Sequence, residues 1–186
     1  INRNYADVNG VIRNVNLACI DSGYNTDDVY NFCARHMDVL VPTKGASHPL
    51  TSRYNVTILD KQAAGFGLRL YVMDSNQLKN FIASRMTIDA GAHGSWNVYR
   101  DIEREYADQV CAEQRVEQRD KKGRVSIVWE KIGSHAANHL LDCETNNVLA
   151  AEIMGVRYLM EQEQETRPQE PEQEETDWIG VGKAWL

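Results

Sequence analysis

Short apolar runs alternate along the chain with stretches patterned at helical spacing, which predicts an α/β layered fold. Residues 15–20 are almost continuously apolar, as in a strand at a sheet centre covered on both faces. Asp21-Ser22-Gly23 ends that run. Asn25-Thr26-Asp27-Asp28 then offers helix-start chemistry for a helix whose inner face carries Val29, Phe32, Cys33 and His36 or Met37. Residues 38–42 predict a second strand, with Gly45 making the turn that follows and 46–54 a loop. Residues 55–60 predict a third strand. In a fourth, Leu68, Leu70 and Val72 alternate with Arg69, Tyr71 and Met73 as far as Asp74, after which Ser75 caps a helix over 76–86. Residues 96–99 predict a short strand and 101–112 a helix. Residues 116–119 and 124–132 form a hairpin around Lys121-Lys122-Gly123, and 135–162 is the longest helical pattern.

Beyond residue 160 the pattern changes. Residues 161–177 hold eight acids against one base, Arg167, with two prolines and almost nothing apolar. Such a segment cannot bury enough surface to order itself and is expected to be a disordered acidic linker. Residues 178–186 (WIGVGKAWL) are abruptly apolar and aromatic, and Trp178, Ile179, Trp185 and Leu186 suit a docking peptide. Three parts follow: a folded domain over 1–160, the linker 161–177 and the peptide 178–186. The net charge of −7 over 186 residues, unfavourable for a nucleic-acid partner, therefore belongs to the tail, and the body is near neutral. The first residue is Ile1, which suggests a fragment of a longer chain. No apolar run is long enough for a membrane span, and no secretory signal opens the chain. The four cysteines have no zinc-finger spacing and read as reduced, mostly buried thiols. No glycine-rich phosphate loop occurs, so this segment is not expected to hydrolyse ATP.

Three acids stand out by position. Asp21 and Asp74 end strands, where α/β proteins place their sites, and Asp142 lies among Leu140, Leu141 and Cys143 in the long helix. His135, Asn138, His139, Asp142 and Asn146 share one face of that helix, a polar stripe unlike a solvated Lys/Glu surface. Carboxylates held together repel unless divalent cations lie between them. Two Mg²⁺ or Mn²⁺ ions so held would clamp a scissile phosphate and activate water. A strand-end Asp also serves commonly as a turn or cap residue, and Asp142 alone could be a satisfied buried acid. Arg115, Arg119, Lys121, Lys122 and Arg124 cluster at the hairpin, either as a DNA-backbone contact or as a solvated tip. Lys44 could approach a phosphate. Trp96 and Trp129 read as core.

At these residues the chain resembles the nuclease domain of the large terminase subunit of lambda-like tailed bacteriophages. The similar segments are ACIDSGYNTDDVYNFCARH (18–36), the Lys44-Gly45 step, LYVMDSNQLKNFIASRM (70–86), REYADQVCAE (104–113), KKGRVSIVWEK (121–131) and NHLLDCETNNVLAAEIMGV (138–156). The resemblance covers roughly residues 15–160. It implies a ribonuclease-H-like mixed sheet flanked by helices, with a two-metal acidic site. Asp21 would be the acid of the first strand, Asp74 the middle acid with Lys79 at the basic position five residues on, and Asp142 the acid of the C-terminal helix. The family usually has Asn-Glu where this chain has Asn138-His139, so a fourth carboxylate is missing there. The helix beginning at Thr26 would be an insertion between strands often joined directly.

The resemblance implies a metal-dependent endonuclease that cuts concatemeric viral DNA during packaging, acting on double-stranded DNA in the host cytoplasm. Its partners would be an ATPase domain upstream in the same protein, a small terminase subunit and the portal. The competing reading is a catalytically weak scaffold that docks the packaging motor onto the portal through the C-terminal peptide. A related junction resolvase is a third.

Overall fold

The computed structural model describes residues 4–7, 9–59, 67–119 and 122–159. Lys121, the expected linker over 161–177 and the peptide over 178–186 lie outside the described residues. A small ribbon of β1 (Tyr5–Ala6) and β2 (Ile12–Arg13) comes first, its turn held by the Asp7 carboxylate, which accepts from the amides of Asn9 and Val11.

Among the described residues the central sheet has four strands: β3 (Ala18–Asp21), β4 (Leu40–Gly45), β5 (Tyr54–Leu59) and β6 (Leu68–Met73). Their order is β3-β4-β6-β5. The pairs β3/β4 and β4/β6 are parallel, and β5 lies antiparallel on β6. The sheet is therefore mixed. Parallel neighbours cannot be joined by a tight turn. Helix α1 (Thr26–Ala34) is thus the crossover that β3 and β4 require, rather than an insertion into a direct connection. The run over 15–20 also proves to be an edge strand, starting only at Ala18, although helices cover both its faces. Its edge position leaves Asp21 exposed.

Alternation along the strands sorts side chains into two cores. On one face Tyr30 and Cys33 of α1 pack with Leu40, Leu68 and Leu70, joined by Ala18, Ile20 and Val72. The buried face of α1 thus runs through Tyr30 and Cys33, and Phe32 is exposed, stacking edge-on with His36. On the other face Tyr71, Met73, Cys19 and Val41 meet α2 (Ser75–Met86), α3 (Arg104–Val110) and α4 (His139–Ile153) through Leu78, Ile82, Val110, Leu141, Val148 and Leu149.

Three sequence expectations shift. Asp74, not Ser75, caps α2. Residues 96–99 form no strand, and Trp96 instead packs against the core. Helix α4 stops at Ile153, where Gly155 takes a left-handed conformation (φ 66°) and leads into a 3-10 turn, Val156–Tyr158. The hairpin forms as expected from β7 (Glu113–Arg119) and β8 (Val125–Lys131), with Gly123 at φ 77° in its tip. It joins the domain where Asn76 and Asn80 of α2 accept from the Trp129 backbone and indole N–H groups.

Candidate active site

Helix α4 lies on the sheet face that carries Cys19, and strand alternation turns Asp21 to that same face. Between them is an open polar cleft of about 440 Å³, lined by Cys19, Asp21, His139, Asp142, Cys143 and Asn146. The spacing of His139, Asp142 and Asn146 sets all three on one side of the helix. Asp21 and Asp142 therefore occupy facing walls. Asp21 accepts from the Gly23 amide at 3.0 Å, and the Asp142 side chain is half exposed. The Asn146 carboxamide ties the walls together: Thr43 Oγ1 of β4 donates to its Oδ1 at 2.8 Å, and its Nδ2 donates to the Asp142 carbonyl at 2.9 Å.

Behind Asp142 is a tighter cluster. Lys79 Nζ donates to both oxygens of Glu113, at 2.8 and 2.9 Å, and lies 3.2 Å from Asp142 Oδ1. Asn138 Nδ2 donates to Glu113 Oε1 at 2.7 Å and to Asp142 Oδ2 at 3.2 Å. Lys79 and Glu113 are almost fully buried, with side-chain exposures of 10% and 5%, against apolar walls that include Ile82, Val110, Trp129 and Leu141. A buried ammonium is tolerated only when paired.

Asp74 is placed differently. Its Oδ1 accepts from the Gln77 amide at 3.0 Å, and its Oδ2 accepts from the Leu50 amide at 2.9 Å and from Gln77 Nε2 at 3.1 Å. The register explains why. Asp21 pairs with Thr43 and Thr43 with Tyr71, so position 74 lies two strands across and three residues further along. At strand spacings of about 4.8 Å and rises of about 3.3 Å, that is well over 10 Å from Asp21. Alternation also puts position 74 on the opposite side from Tyr71 and Met73. The three carboxylates expected to converge do not do so: Asp21 and Asp142 share the cleft and Asp74 caps a helix. Among the described residues no three His, Cys, Asp or Glu side chains form a ready-made metal cage.

Glu113 is the residue that sequence reasoning overlooked. It closes the segment 104–113, where Glu105 and Asp108 are acids as well. The signal was its place at the change from helical spacing to strand alternation. The thiols also differ from expectation. All four are free, but only Cys33 is buried, Cys19 is half-buried, and Cys111 and Cys143 are exposed. Burial, with the nearby Cys33 adding to it, pushes the Cys19 thiol up to about 12, so it brings no thiolate to the cleft near neutral pH. Arg119, Lys122 and Arg124 are exposed at the hairpin tip. Lys44 is exposed at the end of β4, and Gly45 is the last residue of that strand rather than a turn.

The family described as "Terminase large subunit gpA, endonuclease domain" matches residues 1–165. No curated protein and no solved structure matches the chain. With most of its length inside that match, the chain belongs to the endonuclease-domain family of the terminase large subunit, which acts as a nuclease in viral DNA packaging.

Proposed function

We propose that the domain is a divalent-metal-dependent endonuclease that cuts duplex concatemeric DNA, with Asp21 and Asp142 as metal ligands on opposite walls of the cleft. The observation that carries this reading is the presence of two accessible carboxylates on facing elements of one polar cleft. The donor set fits the ion, because both are hard oxygen ligands. Mg²⁺ or Mn²⁺, two ions in the scheme that the resemblance implies, would stabilise charge on the scissile phosphate and supply hydroxide. The protein's own part is to hold the ligands. Strand β3 fixes Asp21, the Asn146–Thr43 hydrogen bond fixes α4 against β4, and Asn138 donates to the Asp142 carboxylate.

The hairpin supports the choice of substrate. Glu113, at the base of β7, lies beside the cleft, and Arg119 lies six residues out along the strand. At about 3.3 Å per residue the tip reaches roughly 20 Å from the site, a span of about half a turn of duplex. Arg119, Lys121, Lys122 and Arg124 would then hold backbone phosphates away from the cut and add affinity without sequence choice. The test is nicking of supercoiled plasmid by the 186-residue chain. Cutting with Mg²⁺ or Mn²⁺ that stops in EDTA is expected, whereas cutting indifferent to EDTA, or none with either ion, contradicts the proposal. The upstream ATPase, the small subunit and the portal remain proposed partners on the strength of family membership.

A further inference from the structure

Glu113 contributes a carboxylate beside the cleft, yet both of its oxygens are committed to Lys79, and Asn138 donates to one of them as well. Lys79 also reaches Asp142, so a single ammonium lies between two carboxylates. The two acids differ in access. Glu113 is buried, and Asp142 is half exposed to the cleft. An ammonium paired with Asp142 alone would neutralise it and compete with any divalent ion for the same oxygens. With Glu113 present, the Lys79–Glu113–Asp142 cluster retains a net charge of −1, and the oxygens open to solvent belong to Asp142.

From this geometry we infer that Glu113 is a positioning residue: it holds the Lys79 ammonium so that Asp142 keeps its negative charge for a cation in the cleft. The inference rests on the reading of that cleft as a metal site. Asn138 works in the same direction. Its amide donates to Glu113 and Asp142 together and so fixes the distance between them. Partners of this kind commonly tune metal affinity without touching the ion. Nothing in the family match or in the sequence patterns assigns Glu113 this role.

The test is Mn²⁺ binding to the 186-residue chain without DNA, read from the paramagnetic resonance signal of free Mn²⁺, so that no turnover is involved. Glu113→Gln keeps the shape but frees the Lys79 charge onto Asp142, and the Mn²⁺ Kd is expected to weaken about tenfold or more. The double variant Lys79→Met with Glu113→Gln removes the competing ammonium as well, and its Kd is expected to return to within about threefold of the parent. Melting temperatures of both variants show that they fold. Unchanged Kd in Glu113→Gln overturns the inference. Equal loss in the single and double variants also overturns it, because Glu113 would then bind the cation itself or act only through the fold. Absence of Mn²⁺ binding by the parent chain would instead overturn the metal reading, and this inference with it.

Discussion

Asp74 and Asp142 are both acids at the start of a helix, and they differ in what the fold does with their lone pairs. Both oxygens of Asp74 are consumed by backbone amides and the Gln77 side chain, and the residue is almost fully buried. We therefore expect Asp74→Ala to lower stability by about 1–2 kcal/mol, through loss of the cap and of the Leu50 anchor. Asp74→Asn retains an acceptor for Gln77 and should keep metal-dependent nicking. Chemical denaturation beside the plasmid assay checks both, and loss of nicking in a stably folded Asp74→Asn would restore this residue to the catalytic set. Lys79→Ala strands the Glu113 carboxylate in an apolar wall. It should cost about 3–5 kcal/mol in the same denaturation experiment, as removing one partner of a buried ion pair does.

At the scale of elements, most of the pattern is legible in the sequence. The helix over 76–86, the strand over 68–73 and the hairpin come from periodicity and turn chemistry, which act within a few residues. What the sequence did not disclose are facts set by neighbours. That β3 is an edge strand depends on which strands pair, and nothing in residues 15–20 encodes it. That Asp74 faces Leu50 while Asp21 faces α4 depends on register across two strands, where a shift of one residue exchanges the faces. Asp21 and Asp142 could be singled out because each has a local oddity, a strand end and a lone acid among apolar residues. Glu113 has only its place where helical spacing gives way to strand alternation, and its partner Lys79 is 34 positions away in the sequence.

The hairpin carries its own prediction. Replacing Lys121, Lys122 and Arg124 with Ala should weaken DNA binding and flatten its dependence on salt, because fewer counterions are released from the duplex. Fluorescence anisotropy at several salt concentrations measures that slope. An unchanged slope would mean that the tip is solvated and does not contact phosphate.

For the whole molecule, charge is partitioned rather than averaged. Eight acids and a single base over 161–177 account for a net charge equal to that of the full chain, −7, and the nuclease body stays close to neutral. A near-neutral body does not repel a phosphate backbone as the total would suggest. We propose that the apolar segment 178–186 docks onto the portal, tethered by the acidic stretch. Deleting 178–186 is then expected to abolish portal binding in a pull-down while leaving nicking and the melting temperature unchanged. A fall of many degrees in melting temperature would show instead that the segment belongs to the domain's own core. No described helix is long and apolar enough to cross a membrane.

The central claim is that Asp21 and Asp142 form one metal site across the cleft. It is tested most directly by the nicking rate of Asp21→Asn and Asp142→Asn in Mn²⁺, each beside its melting curve. Both side chains are accessible, and Asn is isosteric with Asp, so folding should be unaffected. Loss of a charged ligand removes several kcal/mol of transition-state stabilisation, equivalent to a rate loss of about a hundredfold or more. The account predicts that nicking disappears in both variants while each melts as the parent does. Parental nicking rates in either well-folded variant would contradict it.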